Sequence, residues 1–557
     1  MNKSRHWLTI VFSGFFVGIS LLGCEGAIRR ERESFDIVVY GGTSAGVAAA
    51  VQAAQMGKSV IVIEPGRHLG GLSSGGLGAT DIGNKKAIGG IAREFYHRLY
   101  LHYRKDSSWI YEKRRDYVKT PEPFRGSAES WDKGKTWWTF EPHVAEEIFN
   151  DMIRKAKVPV VYGERLDLEN GVQKEGTRIA AIKTESGQVY QGKMFIDATY
   201  EGDLMAKAGV SYTIGRESNC QYNETLNGVQ TKNARFHQFE KPVDPYIRPG
   251  EASSGLLPGI HGDGAGAEGQ GDRRVQAYNF RLCLTDVPEN RISFSKPEDY
   301  NELRYELLLR YYDAGFDEIP WIKSMMPNRK TDINNKHAFS SDNIGMNYSY
   351  PDGDYAPREK IIADHVNYQK GLMWTLANHP RVPIIIREEV SRWGLAKDEF
   401  IDNGNWPHQL YIREARRMVS DYVMTERNCR GMVAVSDSVG LAAYTMDSHN
   451  TQRYVDEHGD ARNEGNIEVP VAGPYPISYR SIIPKTNECP NLLVPVCLSA
   501  SHIAFGSIRM EPVFMVLGQS AATAACIAID DGVNVQQLDY QKLRKQLISD
   551  GQVLEWE

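Results

Sequence analysis

The stretch FDIVVYGGTSAGVAAAVQAAQMGKSVIVIEPG, from Phe35 to Gly66, constrains this chain more than any other part of it. Ile37–Tyr40 reads as a buried strand, the turn 41–46 follows, and an alanine-rich helix runs to about Met56. Gly57 closes that helix, as a glycine at this position commonly does. Ser59–Ile63 is a second continuous apolar run, the pattern of a parallel strand covered on both faces. Strand, turn, helix and strand within about 30 residues make a βαβ unit. The expected fold class is therefore α/β, built on a central parallel sheet.

The turn itself suggests a ligand. In a dinucleotide-binding turn the first glycine makes the bend, the second admits a pyrophosphate to the backbone, and the third lets helix and strand pack closely. Gly41 and Gly46 take the first and third roles, with Gly42, Ser44 and Ala45 between them. Thr43 stands in the second, where its Cβ lengthens the approach unless its hydroxyl bonds to phosphate. The helix start still offers unpaired N–H groups and a positive dipole end. Glu64, followed by Pro65, closes the second strand, where an acid accepts from ribose hydroxyls and disfavours a 2′-phosphate. The alternative is an ordinary βαβ unit with an incidental glycine pair.

After Glu64 the chain does not continue βαβ units as a nicotinamide dehydrogenase typically does. It enters RHLGGLSSGGLG, Arg67–Gly78, where glycine density lets backbone pass close to something flat or charged. Later comes FIDATYEGD, Phe195–Asp203, a strand running into a small-residue turn. These features resemble the FAD-dependent oxidoreductases of the large glutathione-reductase-like flavoprotein superfamily. One bacterial branch is recognisable over most of residues 36–550 through YGGTSAG, FEPHVAEEIF, IDATYEGDLMAKAGV, QAYNFRLCLT, LYIREARRMVSDYVMTE, YTMDSHN and CLSASHIAFGSIRMEP. The resemblance implies FAD as cofactor and a Rossmann-like FAD-binding domain. It implies that Arg67, Gly70, Gly71, Leu72 and Ser74 lie along the diphosphate. It also implies that Ala198 and Thr199 lie near the adenosine part, and Val160, in VPVVYG, is a further cofactor-binding candidate. Tyr200 stands where the family has glycine, a departure at that contact.

The FAD domain is expected to be split: 36–215, with an irregular excursion over 103–140, and 476–557, around an inserted α+β substrate domain, 216–475. FEPHVAEEIFNDMIRKA has helical spacing. Gly255–Asp272 is low in complexity and reads as a surface loop. PVFMVLGQSAATAACIAIDDG, Pro512–Gly532, reads as an apolar helix with proline in its first turn.

Flavins carry the hydride chemistry, so protein groups orient substrate and move protons. His449 in MDSHN and His502 in SASHIAFGSIR are the candidate catalytic histidines. The bland readings are that His449 bridges loops and that His502 bonds to flavin. The resemblance places the final helix N-terminus at the flavin's pyrimidine edge, where Arg509 would also favour an anionic reduced form. In YIREARRM, Arg413 and Arg417 fall on one face if the segment is helical. They then form either a carboxylate clamp or an ion-pair seam between domains.

The chain of 557 residues is 24% charged with a formal net charge of -6, both signs intermixed, which speaks against a nucleic-acid partner. Lys3 and Arg5, then an apolar run from Trp7 to Leu22 ending in LLGC, have the proportions of a secretion signal. Residues 1–24 resemble a bacterial lipoprotein signal with Cys24 as the lipidated residue and 25–35 as a tether. The expected product is exported and membrane-anchored, periplasmic or at the cell surface. Beyond Cys24 no cysteine pair is spaced as CxxC, no metal site is expected, and Cys283, Cys497 and Cys526 read as buried thiols. No second glycine fingerprint for NADPH exists. Electrons must pass through the substrate pocket, oxygen or another protein, and the acceptor is left open. The expected reaction is hydride transfer between flavin N5 and a polar small molecule, a carbohydrate or sugar acid. That guess rests on export and on aromatics such as Trp374, Trp393, Trp406 and Tyr348, which read more readily as core or interface. The rivals are a flavin-retaining binding lipoprotein without turnover and an NAD-dependent dehydrogenase.

Overall fold

The computed structural model describes residues 33–119 and 133–556. The signal segment, Cys24 and most of the tether lie outside the described residues, as does the middle of the 103–140 excursion. The opening unit forms as the sequence predicts: β1 (Glu33–Tyr40), α1 (Ser44–Gln55) and β2 (Val60–Glu64). β1 and β2 pair in parallel, Ile37 opposite Val60 and Tyr40 opposite Ile63. Both strands are buried on both faces, which is why they carry unbroken β-branched runs.

The sheet extends in the order β3, β2, β1, β6, β5, β4. β3 is Val160–Tyr162 and β6 is Val189–Asp197, both parallel to their neighbours in the β1–β2 pair. β4 (Val172–Glu175) and β5 (Arg178–Lys183) complete an antiparallel meander with β6. Far along the chain, Leu492–Leu493 returns to pair in parallel with β6. The C-terminal segment thus re-enters the sheet begun at β1. A separate antiparallel sheet, with Leu282–Thr285 and Lys330–Asn335 at its middle, lies between these segments in sequence.

One face of the first sheet carries α1 and the helix Glu511–Asp531. That helix has length and hydropathy enough to cross a bilayer, yet 94% of the relevant window is buried within the protein. It is apolar all round because it is a core helix. Its contact with α1 is backbone to backbone: a Cβ at Gly518 would lie 2.2 Å from the Ala45 carbonyl oxygen. The cysteines of the described residues are all free, and Cys283, Cys497 and Cys526 are buried as expected. Trp393 and Trp406 are buried side chains, and Trp374 packs edge-on against Tyr300, so these three are packing residues.

Candidate functional site: a glycine cradle and a buried charge circuit

The turn between β1 and α1 is built for close approach. Gly41 has φ +98°, and a Cβ there would meet Thr199. At Gly42 it would meet Leu69 and Glu64, and at Gly46 it would lie 1.9 Å from the Gly41 carbonyl oxygen. Gly46 therefore serves the helix–strand packing role assigned from sequence. Ser44 and Ala45 open α1, where N–H groups have no partner within the helix.

The Thr43 hydroxyl has partners within the protein. It donates to the Ala198 carbonyl (2.7 Å) and accepts from Gly46 N–H (3.3 Å), capping α1. That oxygen is spent on the protein and not held out for a phosphate. Glu64 also has protein partners: its carboxylate accepts from Gly42 N–H and Gly66 N–H, each at 2.5 Å. Burial raises its carboxyl to about 7, and the two N–H bonds only partly oppose this.

The second glycine pair is shaped by Tyr200. Gly70 and Gly71 both have positive φ, and a Cβ on Gly71 would lie 2.3 Å from the Tyr200 hydroxyl. That hydroxyl accepts from Leu72 N–H (2.8 Å) and donates to Glu511 (2.7 Å). Glu511 also accepts from Ser44 (2.6 Å) and Ser73 (3.0 Å). One buried carboxyl, pushed upward by burial, thus joins the α1 start, the Gly70–Gly71 turn and Tyr200. Ser74 closes the turn on the Leu69 carbonyl.

A cavity of about 270 Å³ opens beside this framework. Of the residues predicted from sequence, Gly41, Thr43, Glu64, Pro65, Arg67, Gly71, Thr199 and Tyr200 line it. Gly42, Ser44, Ala45, Gly46, Gly70, Leu72, Ser74 and Ala198 stand behind as its frame, and Val160 sits in β3 next to Val62. Sequence reasoning missed the opposite wall, made by Glu201, Tyr350, Ile362, His408 and Gln409 among others. His68 and His408 stack there with centroids 3.9 Å apart. His68 bonds to Glu146, which raises its pKa, whereas burial and neighbouring His68 push His408 down to about 3. The His408 Nε2 is buried without a partner. Glycine positions that admit no Cβ, open N–H groups at α1 and an acid closing β2 fit an adenosine diphosphate moiety.

The same wall leads to the predicted catalytic residues, because Gln409 and Leu410 are followed by Tyr411. The helix expected for Tyr411–Met418 is not formed. Tyr411 N–H donates to the Asn279 carbonyl and Met418 N–H to that of Cys497, so the segment is extended. Arg413 and Arg417 are both buried but serve different partners. Arg417 pairs with Glu217 and Glu414. Arg413 pairs with Asp342 at 3.0 Å. Asp342 holds His449 Nδ1 (2.7 Å), and His449 Nε2 faces Asp447 (3.5 Å). Asp447 pairs with Arg509 (2.8 Å), and Arg509 donates to the Tyr411 hydroxyl (2.7 Å). The Arg413 guanidinium lies 4.5 Å from the Tyr411 ring centroid and closes the circuit.

His502 joins through Gln276. His502 Nδ1 meets Glu414 (2.6 Å), Gln276 donates to Glu414, and the Gln276 oxygen accepts from His449 N–H and Arg509. The structure therefore brings His449, His502, Arg509 and Arg413 into one network. Burial alone would raise the Asp342 and Asp447 carboxyls. His449 and the arginines overcome it, holding Asp342 low and Asp447 at about 2. Within the circuit Arg413 and Arg509 are sealed, while His449 and Asp447 keep side-chain exposures of 11% and 15%.

The family model described as FAD dependent oxidoreductase matches residues 36–547. Vinyl phenol reductase of Lactiplantibacillus plantarum is 51% identical over 59 residues, which is 10% of this chain and 12% of that protein. Among solved structures, L-proline dehydrogenase from P. horikoshii is similar at 19% identity and TM-score 0.22, over 34% of this chain and 59% of that one. L-amino acid deaminase from Proteus vulgaris is similar at 17% identity and TM-score 0.24, over 36% and 54%. Structural similarity of that size carries no argument about this molecule. The family match spans nearly the whole chain and includes both the glycine cradle and the charge circuit, so this protein belongs to the FAD dependent oxidoreductase family.

Proposed function

We propose that the protein transfers a hydride between FAD and a polar small molecule, a carbohydrate or sugar acid, outside the cytoplasm, anchored by a lipid on Cys24. FAD, when bound, supplies the hydride-accepting and hydride-donating centre at N5. The chain's residues do the rest. The cavity beside Gly41 and the start of α1 takes the diphosphate, and Glu64 would turn from its N–H partners toward a ribose hydroxyl.

The observation that carries the reading is His449 between two carboxylates, on the only exposed side of the charge circuit. A histidine so oriented by Asp342 can take a proton from a substrate hydroxyl or return one. Arg413 and Arg509 keep both acids ionised, and Tyr411 fixes Arg509 in place. The part-exposed His449 and Asp447 favour a ligand rich in hydroxyl or carboxylate groups over an apolar one.

The test is to purify the exported domain, release its chromophore by acid precipitation, and record anaerobic bleaching with a panel of sugars and sugar acids. A yellow, extractable flavin bleached by a panel member is expected. His449→Gln should keep full flavin content and slow bleaching about 100-fold or more, the usual scale for a lost acid–base group. A colourless protein would remove the cofactor assignment. Flavin that no panel member bleaches would remove the substrate class. For the anchor, Cys24→Ala should release the protein from the membrane fraction; unchanged membrane association would refute lipidation there.

A further inference from the structure

Eight arginines are buried among the described residues: Arg216, Arg281, Arg358, Arg413, Arg416, Arg417, Arg453 and Arg509. All but Arg453 have a carboxylate within ion-pair distance. A guanidinium cannot discharge itself by losing a proton, so a buried one needs a counter-charge. Arg453 finds only neutral partners. Its Nε donates to Asn463 (2.9 Å) and its Nη2 to the Ala338 carbonyl (3.0 Å). Phe239 and Phe339 offer ring faces at 5.7 and 5.1 Å. Its Nη1 makes no hydrogen bond among the described residues.

Arg453 lines a small, partly open cavity of about 40 Å³ together with Gly259, Arg304, Phe339, Asn343 and Tyr368. Arg304 is already matched by Asp364, at 2.7 and 2.9 Å, and Asn343 also donates to Asp364. Burial keeps the nearby His365 neutral at ordinary pH, with its pKa near 4. The cavity therefore carries one positive charge that nothing around it cancels. Burial without an acid also draws the Arg453 guanidinium down to about 10, consistent with an environment that lacks its counter-ion. A single water needs on the order of 10–15 Å³ of such space, so the cavity has room for about three waters or for one small anion.

We propose that this cavity is a binding site for one small monovalent anion, of halide or formate size, held by Arg453. The site is distinct from the FAD cradle and from the His449 circuit, although Arg453 follows His449 closely in the chain. The Arg453 carbonyl accepts from His261 N–H at 2.8 Å, and Gly259 forms part of the wall. An ion there would therefore hold the glycine-rich loop 255–272 against the strand Gln452–Val455.

The test uses the flavin-loaded protein at constant ionic strength, with sodium gluconate replaced stepwise by sodium bromide, sodium formate or sodium sulfate. Bromide and formate should raise the thermal midpoint saturably, because a ligand that binds only the folded state stabilises it by mass action. Sulfate should give no such rise. Arg453→Met should abolish the bromide response while leaving the sulfate series unchanged. Equal responses of wild type and variant, or no bromide response in wild type, would overturn the proposal. Should the variant fail to fold, wild-type crystals soaked in bromide decide the matter by anomalous scattering at the bromine edge. A peak beside Arg453 is the expected result, and its absence there refutes the site.

Discussion

Replacing Gly46 by alanine tests the cradle most directly. The added Cβ would lie 1.9 Å from the Gly41 carbonyl oxygen and 3.4 Å from the Ala198 Cβ. Real Cβ contacts stay beyond 3.0 Å, so α1 would have to retreat from β1 by about 1 Å. It has nowhere to go. On its far side the Ala45 carbonyl touches the Gly518 backbone of Glu511–Asp531, where even a methyl group would stand at 2.2 Å. Both obstacles are main chain, which cannot rotate aside as a side chain can. Overpacking of this kind costs about 1–3 kcal/mol, and a site clamped on both sides belongs at the upper end. If that cost falls on the cofactor-competent position of α1, FAD affinity drops about 10- to 100-fold, since about 1.4 kcal/mol is tenfold. The assay is the flavin-to-protein ratio after gel filtration, followed by titration of stripped protein with FAD and a thermal midpoint. Gly473→Ala is the control, because nothing lies within 4 Å of its added methyl. A Gly46→Ala protein with full flavin, wild-type affinity and an unshifted midpoint would refute the account of why this turn needs glycine.

Thr43→Val should lower stability by about 1–2 kcal/mol, the value of a helix cap and its bond to Ala198. It should still retain flavin, because the hydroxyl is committed to the protein; urea unfolding and a visible spectrum check both halves. Lys330 is buried among Glu399 (2.6 Å), Glu141 (2.9 Å) and Asp398 (2.9 Å). Lys330→Met should therefore cost about 3–5 kcal/mol by stranding buried carboxylates, read as a large fall in the denaturation midpoint. His408 has a folded-state pKa near 3, well below its ordinary 6.5. The unfolded chain then binds the extra proton first, so this stability is present above pH 6.5 and drains away as pH falls toward 3. His408→Phe keeps a ring against His68 and should flatten that acid limb in a plot of thermal midpoint against pH; an unchanged limb would contradict the assignment.

The parts of the site legible in the sequence are those governed by local sterics. Gly41, Gly46 and Glu64 stand within one βαβ unit, and the demands of a tight turn and a buried strand fix their roles at short range. The far wall was not legible, because Tyr350, Ile362 and His408 come from distant segments with no spacing that relates them to Glu64. The same holds for the charge circuit. Asp447 and Asn450 flank His449 in sequence, but Asp342, which orients the ring, lies more than a hundred positions earlier. The misreading of Tyr411–Met418 has a definite cause. Its arginine spacing suits a helix, yet the N–H groups at its two ends, on Tyr411 and Met418, are claimed by the carbonyls of Asn279 and Cys497. Its arginines pair with acids from distant segments, Arg413 with Asp342, Arg416 with Asp203 and Arg417 with Glu217. Tertiary demands of that density override local propensity.

Two departures from the usual dinucleotide pattern, Thr43 for glycine and Tyr200 for glycine, meet at one turn. Thr43 donates to the carbonyl of Ala198, two residues before Tyr200. Tyr200 in turn fills the space that Gly71 leaves empty and reaches Glu511 at the start of the C-terminal core helix. A side chain that a pyrophosphate turn would ordinarily exclude is thus accommodated by a glycine on the facing turn. Its hydroxyl does the work of a tether between the first and last segments of the chain. Glycine at position 200 would free space but cut that link, leaving Glu511 with Ser44 and Ser73 alone. The cradle is then not a weakened copy of the glycine pattern. It is a version in which a glycine has been exchanged for a buried hydrogen-bonded bridge, through which Glu511 on the C-terminal core helix holds the Gly70–Gly71 turn.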